Sequence, residues 1–187
     1  MRVSKSLVVE TAARLADENG LNDLSLKTVA ETLHVRTPSL YNHIESLDAL
    51  RREVAHQGMR TMNEQMTRAA VGKAGVAAMK GVAVAYLDFI TAHPGVYETI
   101  QWATWHGTAE TAEIYRSYTD LLATILSSFP FPRERIEELV DLFTGLLHGF
   151  STLQVRSAFS APQKVRDEIC NAVDIVVSGA CRKYDIE

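Results

Sequence analysis

Apolar residues return every three or four positions through almost the whole chain, and no stretch alternates apolar with polar side chains long enough to make a strand. The period predicts an all-α protein. Leu7, Val8, Thr11, Ala12, Leu15 and Ala16 make one stripe of a first helix, Ser4 to Asn19, which Gly20 stops. Ser25 is a natural N-cap for a second helix, Leu26 to Leu33. After the turn His34-Val35-Arg36, a third helix opens with Thr37 as its cap and Pro38 at its first position, and ends near His43. A fourth is expected from Leu47 towards Ala70. Five more should follow: Val76 to Ala92, Pro94 to His106, Thr108 to Ser128, Glu134 to Phe159, and Pro162 to Lys183. The clearest breaks are His93-Pro94-Gly95 and Phe129-Pro130-Phe131-Pro132. About nine helices result, arranged as a three-helix head (residues 1–46) and a helical body (residues 47–187), with the fourth helix joining the two.

The stretch from Ser25 to Ile44 carries the most information. Two short helices joined by a three-residue turn must cross steeply, which needs a small residue at the crossing and apolar anchors on either side. Ala30 supplies the first; Val29, Leu33, Val35, Leu40 and Ile44 supply the second. With Leu40 and Ile44 turned inward, the third helix presents Thr37, Ser39, Tyr41, Asn42 and His43 to solvent. A short hydrogen-bonding face of this kind suits base edges and phosphates in a major groove, and Lys27 and Arg36 flank it with positive charge. Spacing alone leaves open a helix-turn-helix used only for packing.

Charge changes the picture, because the net value of −4 is unexpected for a protein that binds DNA. The first 60 residues carry equal numbers of acidic and basic side chains, so the whole excess of acid belongs to the remainder. Binding to nucleic acid must then rest on local geometry, since a basic domain is missing. Composition is that of an ordinary globular protein, 47% hydrophobic and 22% charged. The longest membrane candidate, Gly81 to Ile90, is too short and contains Asp88, and Glu10 interrupts any secretory signal. A cytoplasmic protein without a membrane partner is expected. Cys170 and Cys181 fall on one helix about 16 Å apart, too far for a bridge within the chain.

The runs Leu26-Lys27-Thr28-Val29-Ala30, Leu33-His34-Val35 and Pro38-Ser39-Leu40-Tyr41-Asn42-His43, just ahead of a long connecting helix, resemble the signature of the tetracycline-repressor (TetR) family. The resemblance implies a DNA-binding regulator whose contacts fall at Ser25, Lys27, Arg36, Thr37, Pro38, Ser39, Tyr41, Asn42 and His43. It places Tyr41 and His43 on phosphate, and Lys27, Thr37 and Pro38 nearest the bases. Where the family usually has glycine in the turn, this chain has His34, which predicts a left-handed or near-helical backbone there at some cost. The start of the fourth helix, Ser46-Leu47-Asp48, also lacks a lysine that many members carry.

The same resemblance implies an effector site among the central helices, a homodimer through the last two, and a near-palindromic DNA operator. The helix from Val76 to Ile90 is apolar nearly all round, as a central helix would be. Aromatic residues gather nearby, and Tyr86, Phe89, Trp102, Trp105, His106 and His148 are the candidates for lining a small-molecule pocket. Taken singly, each is better explained by ordinary core or interface packing; it is their clustering that describes a pocket. Gly145 and Gly149 lie on one helix face and suggest close approach of another helix, opposite a final helix bearing Ile169, Val173, Val176 and Val177. The His148-Gly149 pair further resembles the C-terminal domain of one TetR subgroup.

No zinc spacing, phosphate-binding glycine loop or nucleophile motif occurs, so neither a cofactor, a metal nor catalysis is expected. The rival to a ligand-responsive regulator is a helical carrier or interaction module that never touches DNA. Only the polar face from Thr37 to His43 argues against it.

Overall fold

The computed structural model describes residues 3–159 and 164–186. Among these residues every regular element is helical: α1 Lys5–Asn19, α2 Leu26–Thr32, α3 Thr37–Leu40, α4 Leu47–Ala70, α5 Gly75–Ala92, α6 Pro94–His106, α7 Ala109–Leu126, α8 Ile136–Val155 and α9 Val165–Lys183. Short 3₁₀ turns, Leu21–Asp23 and Arg133–Arg135, lead into α2 and α8. The all-α expectation holds, element by element, in the order read from the periodicity.

The ends differ where side chains intervene. Thr37 does not cap α3: Arg36 occupies the cap position with extended backbone, Thr37 is already helical, and Pro38 follows it in the first turn. The α-helical part of α3 stops at Leu40 rather than His43, because Tyr41, Asn42 and His43 each donate to the carbonyl three residues back, tightening the last turn. Thr108 lies outside α7 because it exchanges hydrogen bonds with Thr111, a reciprocal cap. The eighth helix ends before Phe159. Ser157 takes a left-handed φ of 52° and Ala158 donates to the Leu153 carbonyl at 2.9 Å, which turns the chain back and sets the Phe159 ring 5.4 Å from Phe150. The expected start of the last helix, Pro162, lies outside the described residues.

The chain divides into two compact units. One unites the chain up to Thr61 with His93–Ile114, and so holds α1, α2, α3, the first part of α4, α6 and the start of α7. Its core is built from Val8, Ala12 and Ala16 of α1, Leu24, Val29, Ala30, Leu40 and Ile44 around the short helices, and Leu50 and Val54 of α4, all at most 5% exposed. The close fit of α6 on α1 depends on Gly95, where a Cβ would stand 1.9 Å from the Ala16 carbonyl oxygen. Gly58 serves α4 likewise: a Cβ there would meet Val96 at 2.4 Å.

The second unit holds Met62–Ala92 and the chain from Tyr115 onward. Helix α5 is its centre, burying Met79, Val82, Ala83, Tyr86, Leu87 and Ile90, and packs against α8 and α9. The apolar run of α5 is longer than Gly81 to Ile90; over Gly75–Ala92 it is long and apolar enough for a membrane span by length and composition alone. Half of it is buried inside the chain, and its two charges are paired, Lys80 with Asp174 and Asp88 with Arg166. Cys170 and Cys181 are both free thiols.

Candidate nucleic-acid interface

The reader is built from a cap outward. The Ser25 hydroxyl accepts the Thr28 amide at 3.1 Å while the Thr28 hydroxyl accepts the Ser25 amide at 3.1 Å, so α2 starts with a closed capping box. Val29 and Ala30 are buried, and the Ala30 carbonyl accepts the Val35 amide at 3.0 Å, which holds the turn against the end of α2. His34 makes that turn in the left-handed region, φ 55°, the costly backbone a non-glycine residue must take at a position favouring glycine. Its side chain is exposed.

Leu40 is wholly buried and Ile44 is 5% exposed, so both anchor α3 as the pattern required. Between them Tyr41 stands 58% exposed, beside exposed Pro38, Ser39 and Asn42. Thr37 and His43 are half-buried at the edges of the same face. An exposed tyrosine of this size is a large apolar ring with a hydrogen-bonding tip held out in water, an arrangement that packing inside this chain does not explain. Lys27 and Arg36 are exposed; the Lys27 ammonium lies 3.9 Å from Glu31, a loose pair that leaves it available to another anion. Ser25 is half-buried and partly committed to its cap.

The effector candidates are distributed differently. Tyr86 and Phe89 are buried on α5, where the Tyr86 ring lies 6.1 Å from Tyr118. Tyr115 lies 5.6 Å from Tyr118, and burial, with Asp141 nearby, pushes its phenol above the ordinary value. His148 is exposed on α8. Trp102 stacks on His106 at 5.0 Å, with the Arg51 guanidinium 5.9 Å above its ring, while Trp105 is 84% exposed. A groove of about 540 Å³ runs along the other side of α5, floored by Ala77, Gly81, Val84 and Ala85 and reached by Lys80 and Cys170; none of the six candidates lines it.

On α8, Leu142 and Leu153 are about half exposed, and a Cβ added at Gly145 or Gly149 would meet nothing within 4 Å. The glycines therefore do not serve packing within the chain. The stripe expected to face them needs correction: Ile169, Val173 and Val177 are buried inside their own unit, where α9 packs on α5, and Val176 is half-buried. The outward face of α9 includes Ile175, 70% exposed, and Gly179, where an added Cβ would meet nothing within 4 Å.

Two features went unread in the sequence. His56, 4% exposed on α4, bonds Thr111. Asp17 and Glu98 tie α1 to α6. The available signals were a glycine directly after the helix-opening Pro94 and a histidine in the apolar register of α4.

A capped α2, a short α3 opened by Thr37 and Pro38, a left-handed turn and an outward polar face define a helix-turn-helix protein. Comparison with known proteins gives the same class. The tetracyclin repressor-like C-terminal domain family matches residues 79–174. The uncharacterized HTH-type transcriptional regulator YobS of Bacillus subtilis strain 168 is 31% identical over 179 residues, covering 95% of this chain and 92% of that one. A protein of unknown function from Rhodococcus sp. RHA1 shares the fold with a TM-score of 0.82 at 18% identity, over 96% of both chains. A TetR variant from Acinetobacter baumannii AYE, solved in complex with minocycline, has a TM-score of 0.73 at 19% identity, over 98% of this chain and 99% of that one. The chain belongs to the TetR family of helix-turn-helix transcriptional regulators, and it is a regulator and not an enzyme.

Proposed function

We propose that this regulator acts as a cytoplasmic homodimeric repressor, binding a near-palindromic operator through Ser25, Lys27, Arg36, Thr37, Pro38, Ser39, Tyr41, Asn42 and His43. The single observation that carries the reading is the contrast at the end of α3 between buried Leu40 and exposed Tyr41. Tyr41 and His43 hold phosphate, and Lys27, Thr37 and Pro38 approach base edges. Residues 1–46 form the reader and residues 47–187 the part that senses and dimerises.

The dimer uses the outward faces of α8 and α9. Open Gly145, Gly149 and Gly179 beside exposed Leu142, Leu153 and Ile175 support this, because a partner helix could approach the backbone there and cover apolar surface. Two-fold pairing would set the recognition helices about 34 to 36 Å apart, one turn of DNA. A largely apolar effector binds beside the aromatic residues of α5, with Tyr86, Phe89 and His148 of the second unit as its contacts, and releases the operator through its differential affinity for two conformations.

Selection from a random duplex pool tests the reading. The purified chain should enrich one near-palindromic sequence, and its affinity for that duplex should fall steeply with salt while exceeding that for a scrambled duplex. Equal, weak binding to every duplex would contradict it.

A further inference from the structure

Helices α1 and α6 exchange carboxylates at their ends. Asp17, in the last turn of α1, accepts the Val96 amide of the first turn of α6 through Oδ1 at 2.8 Å, and its Oδ2 lies 2.9 Å from His93 Nδ1. In return Glu98, one turn along α6, accepts the Leu21 amide through Oε2 at 3.0 Å. Leu21 opens the 3₁₀ turn that follows α1, and Ser25, the cap of α2, comes four residues later. Gly95 lets the two backbones meet, since any side chain there would strike Ala16.

Apolar packing of the α1–α6 joint at Ala16 is non-directional and tolerates sliding; hydrogen bonds to charged acceptors at both ends do not. The pair therefore fixes the register of the α1–α2 connector on α6. Asp17 is mostly buried, its side chain 19% exposed, so its bonds are formed in a site where water competes weakly. Burying a carboxylate at a joint where Gly95 already lets α6 close on Ala16 is costly unless its placement matters.

We propose that Asp17 and Glu98 are positioning residues for DNA reading: their reciprocal clamp makes α6 the support on which α2, and α3 behind it, are set at the angle that enters the groove. The proposal rests on the DNA-reading role of α2 and α3 proposed above. Neither residue touches DNA. Both act by holding the connector.

The test uses the full chain and a duplex enriched from a random pool by the wild type. Asp17→Ala and Glu98→Ala should each lower affinity for that duplex by about tenfold, the scale of one lost charge-assisted hydrogen bond. Affinity for an unrelated duplex, which depends on phosphate attraction alone, should change little, so discrimination falls by the same factor of about ten. Asp17→Asn and Glu98→Gln keep an acceptor oxygen and should recover most of the loss, a rescue that a mere loss of folded protein would not produce. Amide exchange should quicken at Leu21 and Val96 in the alanine variants while thermal melting remains cooperative.

Unchanged discrimination in a folded Asp17→Ala or Glu98→Ala protein would overturn the proposal, leaving the clamp a packing detail. Glu98 is exposed, so its variants remain informative if Asp17→Ala fails to fold. Failure of the wild type to enrich any duplex would instead overturn the DNA-reading role itself, a distinguishable result.

Discussion

The Nε2 atom of His56 on α4 lies 2.8 Å from the hydroxyl of Thr111 at the start of α7, and both residues are 4% exposed. Thr111 also receives the Thr108 amide at 3.1 Å, so the imidazole joins the cap of α7. Nδ1 faces Glu110 at 3.6 Å, and Glu110 is itself held by Arg60 at 2.7 Å. Burial lowers the His56 pKa below the ordinary 6.5, outweighing the opposing pull of Glu110 and Glu53; Arg60 and Arg52 push the same way as burial.

Because the unfolded chain binds this proton more readily than the folded one, the neutral ring contributes stability that is fully present above pH 6.5 and lost progressively as pH falls from there through the lowered folded-state value. His56→Gln, which retains an amide able to bond Thr111, should flatten this part of the profile. Urea denaturation from pH 8 to pH 5 checks it: wild type should lose more stability than the variant across that range. Parallel profiles would show that His56 does not titrate differently on folding.

Gly95→Ala should destabilise by about 1–3 kcal/mol, the usual cost of overpacking. The added Cβ would strike the Ala16 carbonyl, a backbone atom that cannot swing aside. Gly149→Ala on α8 should instead stabilise the isolated fold by about 0.5–1 kcal/mol, because open space surrounds it and alanine is the better helix former. Thermal melting of the two variants under dilute, monomeric conditions makes the comparison.

Leu40 and Tyr41 are neighbours with opposite fates. Leu40→Ala should cost about 3 kcal/mol, since it empties a wholly buried site. Tyr41→Ala removes an exposed ring and should leave stability within about 0.5 kcal/mol while abolishing specific DNA binding. Loss of folding in Tyr41→Ala would make Tyr41 structural.

Gly149→Arg should shift the chain to monomer in analytical ultracentrifugation by placing a long charged side chain on the face proposed for dimerisation. An unchanged mass distribution would move the interface elsewhere. A monomeric variant should also lose affinity for a two-half-site duplex.

Much of the fold was legible because helical periodicity and caps are local signals. Ser25, Gly20 and Pro38 marked boundaries within a residue or so, and Leu40 and Ile44 pointed inward as their spacing required. His34 in a left-handed turn was likewise readable, from a non-glycine residue where the turn wants glycine. What escaped were long-range pairings. Asp17 and Glu98 are 81 positions apart and look like solvated charges until α6 is laid on α1. Ile169, Val173 and Val177 form an apolar stripe whichever surface they meet, and periodicity cannot distinguish a helix of the same chain from a partner.

The central claim is that the face around Tyr41 reads DNA as a two-fold dimer. Hydroxyl-radical footprinting of the wild type on its enriched duplex tests it most directly, with Tyr41→Ala alongside. The account predicts two symmetric protected patches about one helical turn apart, absent in the variant. Protection without symmetry, or a footprint unchanged in Tyr41→Ala, would contradict it.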